Sequence, residues 1–138
     1  MGKINWGRVL LGGLLAGVII NIFEYVTNEL ILKAQWAAVM KTLGIQMAPH
    51  AIVIFIIWGF LLGIGAIWVY ALARPRWGPG VKTAALTGLG YWVFAYALPN
   101  AGSWAMGLFP HHLLLLGSVI GLVELLLASI AGAWLYKE

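Results

Sequence analysis

The chain has 138 residues, of which 63% are hydrophobic and 9% charged, with no cysteine and a formal net charge of +4. Soluble domains carry roughly a quarter of their residues as charges, so a water-soluble domain of this size is excluded, and a chain this apolar is not disordered. Its solvent is expected to be lipid, and without cysteine it has neither disulfides nor thiol chemistry.

At roughly 20 residues per crossing, the length admits four spans and short connections. Apolar runs predict them at about 6–32, 49–72, 80–98 and 111–136. The expected fold is therefore all-α, a single integral membrane bundle of four transmembrane helices. Asn5 is placed to cap the first helix. Lys3 and Arg8 precede an apolar stretch that runs past Ala16 without a small-x-small cleavage site, which predicts a retained helix and not a signal peptide.

An outer segment at about 34–43 follows. Trp36, Met40, Leu43 and Met47 lie within about 80° of one another on a helix, and Gly44 is placed to end it. This predicts a short helix on the outer membrane surface or capping the bundle, or else an extension of the first span. Pro49 and Pro110 stand where the second and fourth helices begin. Arg74 to Gly80 (RPRWGPG) and Pro99 to Ser103 (PNAGS) are read as turns that no helix continues through.

Lys3, Arg8, Arg74, Arg76, Lys82 and Lys137 fall on one side of these spans, against Lys33 and Lys41 on the other. The positive-inside rule then puts both termini in the cytoplasm. The net positive charge marks the face next to anionic lipid and calls for no nucleic-acid partner. Trp6, Trp68, Tyr70, Trp77, Trp134 and Tyr136 are expected at the inner interface and Trp36 and Trp104 at the outer one, with Trp58 and Trp92 deeper, as packing or pocket residues.

Two acidic residues, Glu24 and Glu124, lie well inside apolar spans, where a carboxyl must face protein, water or a partner. Gly13, Gly17, Asn21, Glu24 and Asn28 share one face of the first span, and Gly117, Gly121, Glu124, Ala128 and Ala131 share one face of the fourth. With Gly59 and Gly63 on the second span, these small residues are expected to pack helices closely. Three readings of the acids stay open. A neutral glutamate hydrogen-bonds Asn21, Asn28, Tyr91 or a backbone carbonyl; or the pair titrates as a proton or cation relay; or the face docks another subunit. At least one glutamate is expected to be neutral at pH 7. A direct meeting of the two is compatible with the spacing and not required by it.

His50, His111 and His112 lie at the outer ends of helices. No acid or cysteine stands beside them at ligand spacing, so no metal or cofactor is expected, and haem or pigment binding through them is the residual alternative. No Walker loop, nucleophile elbow or His-Glu-x-x-His is present, and the chain is not expected to be an enzyme.

Gly12-Gly13-Leu-Leu-Ala-Gly17 leading to Asn21 and Glu24, then Gln35-Trp36, the Arg74–Gly80 turn, Gly107-Leu-Phe-Pro110 and Gly132-Ala-Trp-Leu-Tyr-Lys137 together resemble a group of small bacterial four-span membrane proteins. The resemblance covers nearly the whole chain. It implies a bacterial inner-membrane location and carries over no activity or site. The chain is also similar in architecture to the small multidrug resistance transporters, which have four short spans and a membrane-embedded glutamate in the first. It departs from them in its length, its second buried glutamate and its firm charge bias. The leading expectation is a non-enzymatic subunit or accessory component of a membrane complex, partnered by other membrane subunits or by itself as a homo-oligomer. The alternative is a small proton- or ion-coupled transporter using the two glutamates.

Overall fold

In a computed structural model, which describes residues 2–137, every regular element is helical. Helix α1 spans Trp6–Tyr25, with Asn5 Oδ1 accepting from the Arg8 amide at 3.1 Å, and runs on without a break into a π-helical turn, Val26–Ile31. Helix α2, Lys33–Leu43, ends at Gly44, whose φ of 67° suits a residue without a Cβ. Helix α3 is Ala51–Trp77. Helix α4, Val81–Trp92, passes through a second π-helical turn, Val93–Ala97, into α5, Leu98–Ala105. Helix α6 is His111–Leu135, starting directly after Pro110.

Two expected turns are helical instead. Helix α3 continues through Pro75 to Trp77, because a proline this close to the end deletes only the ladder bond to the Ala71 carbonyl. The reversal is made by Gly78-Pro79-Gly80, with φ of 82° at Gly78 and 123° at Gly80. Pro99 likewise sits in the first turn of α5, where its missing amide is tolerated, so the stretch from Pro99 to Ser103 is helix and not loop.

Three helical stretches are long and apolar enough to cross a membrane: Trp6–Ile31, Ala51–Trp77 and His111–Leu135. The fourth expected span is not one uniform helix but the α4, π-turn and α5 sequence. Helix α1 packs on α3 and α6, α4 packs on the same two, and α3 touches α6 across the middle.

Glycine sets the closest approaches. A Cβ on Gly63 would stand 2.8 Å from Gly17 Cα, and one on Gly17 would stand 2.8 Å from Phe60 Cα. Gly13 meets Ile64 in the same seam, Gly59 meets the Asn21 amide, and Gly12 faces Gly132 where α1 crosses α6. Packing through small residues is how helices associate without a hydrophobic driving force between them. Gly117 does not take part, since it faces open space. Around these seams Val9, Ala16, Ile20, Ile67, Leu125 and Ala128 form the buried core.

At one end, the Asn5 amide donates to Tyr136 Oη at 3.2 Å, Asn5 Nδ2 donates to the Lys137 carbonyl at 3.1 Å, and the Gly80 amide donates to Tyr70 Oη at 3.2 Å. Residues near both termini and the α3–α4 turn therefore share this end, with most of the basic residues. At the opposite end α2 caps the bundle. Its inward face is Trp36 and Val39, packed with Leu32, Phe109 and Leu113, whereas Leu43 and Met47 are exposed. Trp58 is also exposed, on the outside of α3, and is not a deep packing residue; Trp92 is, donating Nε1 to the Ser118 carbonyl at 2.9 Å.

Candidate functional site

Glu24 and Glu124 meet through a tyrosine. Tyr96 Oη lies 2.8 Å from Glu24 Oε1 and 2.7 Å from Glu124 Oε1, joining α1, the turn after α4, and α6. On the far side of Glu24, Asn28 Nδ2 donates to Glu24 Oε2 at 2.9 Å and to the Glu24 carbonyl at 3.0 Å. Trp36 Nε1 in turn donates to Asn28 Oδ1 at 2.9 Å, which ties the capping helix α2 to the same network.

Both π-helical turns border this network, and the second has a visible local reason. Pro99 offers no amide to the Ala95 carbonyl and its ring crowds that oxygen. The ladder widens ahead of it, and the Leu98 amide bonds back to Val93, five residues earlier. The Leu32 amide does the same with the Thr27 carbonyl at 2.8 Å. Turns of this kind recur at functional sites because they re-aim side chains within an otherwise regular helix. Here the wider turn aims Tyr96 between α1 and α6. Gly121 makes room for its ring, since a Cβ there would come within 2.7 Å of Tyr96 Cδ1.

The two carboxyls differ in setting. Glu124 is 0% exposed, and its Oε2 has no hydrogen-bond partner among the described residues. Glu24 is only partly buried and receives Asn28 as a donor on the oxygen that Tyr96 does not touch. A phenol carries one hydrogen and can donate to one oxygen at a time. Two hydrogen bonds at Tyr96 Oη therefore require a second proton, held on one of the carboxyls. With both carboxyls ionised, one contact would set a lone pair against a negative oxygen in a place sealed from water, an expensive arrangement.

Of the residues singled out from the sequence, Glu24, Asn28 and Glu124 come together. Asn21 does not join them; its Nδ2 donates to the Ile56 carbonyl of α3 at 3.2 Å. Tyr91 lies against Gly65 of α3, away from the carboxyls. His50, His111 and His112 are all exposed at the capped end. His111 stacks edge-on against Trp104 at 5.4 Å, and with His112 it lines an open cavity of about 830 Å³ between α2 and residues 107–113. Among the described residues no group of three acidic, histidine or cysteine side chains stands where it could hold a metal ion. Glu29 forms only an exposed 3.6 Å pair with Lys33 on the same helical face.

Trp36→Phe removes one donor and little volume. It is expected to free α2 from Asn28, raising amide hydrogen exchange across 33–43 while the rest of the bundle keeps its protection, for a loss of about 1 kcal/mol. Unchanged exchange in α2 would mean that packing against Phe109 and Leu113 alone holds the cap.

Comparison with family models, with curated proteins and with solved structures finds no match to this chain.

Proposed function

We propose that this is a non-enzymatic four-span protein of the bacterial inner membrane, with both termini cytoplasmic, in which the Glu24–Glu124 pair takes up and releases a proton in the course of transport. Three long apolar helices support the membrane reading, and this reading takes the α4, π-turn and α5 run as the fourth crossing. The clustering of Lys3, Arg8, Arg74, Arg76 and Lys82 at one end supports the orientation. One observation carries the transport reading: a single phenol oxygen lies within hydrogen-bond reach of two carboxyls borne on apolar helices. Ionisable groups so placed mark proton or ion pathways in membrane proteins. Nothing in the network resembles a nucleophile, an oxyanion site or a metal centre, so exchange of protons is the chemistry these groups offer.

The test is flux. Purified protein in liposomes, with a pH-sensitive dye inside, should acidify the lumen when the outside pH is lowered, and Glu24→Gln and Glu124→Gln should each abolish the signal. Equal flux in wild type and both variants would remove the carboxyls from the mechanism.

A second reading, a subunit of a larger membrane assembly or a homo-oligomer, is favoured by the start of α3. Every residue from Ile52 to Trp58 is 44–61% exposed, so these turns show apolar side chains on every face even though Asn21 reaches the Ile56 carbonyl. Native mass spectrometry from mild detergent is expected to retain a partner at fixed stoichiometry on that reading. A lone chain carrying only lipid would favour the independent carrier.

A further inference from the structure

We propose that Tyr96 is the group through which Glu124 exchanges its proton, passing it to and from Glu24. This inference rests on the reading of the pair as a proton site and adds the route and the order of events.

Glu124 is fully buried, and Tyr96 Oη lies 2.7 Å from its Oε1, with the Glu24 carboxyl also close at hand. Glu24 is partly exposed and lies on the other side of the same oxygen at 2.8 Å. A proton leaving Glu124 therefore meets the Tyr96 hydroxyl with Glu24 beyond it, and loss of the hydroxyl distinguishes this route from direct passage between the two carboxyls.

The distribution of donors sets the resting state. The negative charge sits on Glu24, which receives both Asn28 Nδ2 and the Tyr96 hydroxyl, and the proton sits on Glu124, which donates it to Tyr96 Oη. The opposite state has the proton on Glu24 and the charge on Glu124. Conversion of the second state to the first breaks the Glu24 Oε1–H bond and forms a new Tyr96 Oη–H bond. The original Tyr96 Oη–H bond breaks as Glu124 Oε1–H forms. The phenol ends as it began, two protons have each moved one place, and the charge has passed from Glu124 to Glu24. No other reactant is needed. The transfer needs both contacts near hydrogen-bond length at once, and the π-helical turn at Val93–Ala97 and the space left by Gly121 provide that.

Because Tyr96 passes the proton on without retaining it, its loss should separate binding from exchange. The experiment is infrared spectroscopy of the protein in lipid bilayers during a switch from H₂O to D₂O, following the carbonyl band of a neutral carboxyl as it shifts on deuteration. Glu124→Gln identifies the band by removing it. In wild type the shift should be fast. In Tyr96→Phe the band should persist and shift more slowly by about 100-fold or more, whereas Tyr91→Phe should match wild type. Gly121→Ala, which displaces the ring without deleting the hydroxyl, should also slow exchange, and it stands in for Tyr96→Phe should that variant fail to fold.

Exchange at the wild-type rate in Tyr96→Phe would overturn the relay and leave the transport reading intact, since the flux of the two Glu→Gln variants decides that separately. A band removed by Glu24→Gln and not by Glu124→Gln would overturn the resting assignment while keeping a proton in the pair.

Discussion

Glu124→Gln is expected to leave the bundle folded and to stop proton movement. A glutamine is the neutral isostere of a protonated glutamate, and its amide nitrogen can donate to Tyr96 Oη as the carboxyl does. The lost stability should stay below about 1 kcal/mol, while flux into liposomes falls by about 100-fold or more, because an amide does not give up its proton. Glu124→Ala is the informative contrast. It leaves the Tyr96 hydroxyl facing a fully buried hole, and the loss of a polar partner together with the cavity should amount to about 3 kcal/mol. Thermal melting in detergent measures the first quantity and dye-reported flux the second. If Glu124→Gln melted as low as Glu124→Ala, the buried oxygen would have been accepting hydrogen bonds as an anion, and the proton count at Tyr96 would be wrong.

Gly63→Leu should be the most damaging substitution away from the carboxyls. Gly63 sits against the Gly17 amide and the Gly13 carbonyl of α1, so the added atoms meet backbone and not a side chain that can turn away. Helices α1 and α3 must separate, taking with them the Asn21 bond to the Ile56 carbonyl and the seat of Phe60 against Gly17. Overpacking of this kind costs about 1–3 kcal/mol where neighbours can adjust, and here the neighbours are main chain. Gly117→Leu is the matched control, since nothing lies within 4 Å of a Cβ at that position, and its effect should stay within about 0.5 kcal/mol. Denaturation in mixed micelles compares the two. Equal midpoints would show that the α1–α3 seam does not limit stability.

Much of this arrangement can be read from the sequence because its determinants are local. The cap at Asn5 follows from one side-chain oxygen, and the stop at Gly44 and the helix starts after Pro49 and Pro110 each follow from one residue's backbone chemistry. The seam built on Gly13, Gly17, Gly59 and Gly63 follows from four-residue spacing. Tyr96 escapes for a specific reason. From Thr83, Thr87 and Gly88, α-helical periodicity carries the inward face of α4 to Tyr91, and a residue five places further on is out of phase. The π-helical turn adds the missing residue, so Tyr96 faces inward as well. Pro99 was the available signal, because a proline within a span disturbs the turn before it and not the one after. Trp36 escapes in a similar way. Its indole suits an interfacial belt, and only the folded chain brings Asn28 within 2.9 Å of it. Gly132 lies one position from the expected stripe that included Ala131, and it is Gly132 that faces Gly12 where α1 crosses α6.

On the proposed function, the chain crosses a bilayer four times and holds the carboxyl bridge inside it. The absence of cysteine makes the direct measurement clean: single cysteines at Lys3, Gln46, Pro79 and Leu108, probed from each side of sealed membrane vesicles with an impermeant thiol reagent. Lys3→Cys and Pro79→Cys are expected to label from the cytoplasmic side, and Gln46→Cys and Leu108→Cys from the opposite side only. Labelling of positions 79 and 108 from the same side would mean that the α4, π-turn and α5 run does not cross, and the bridge through Tyr96 would then lie outside the bilayer.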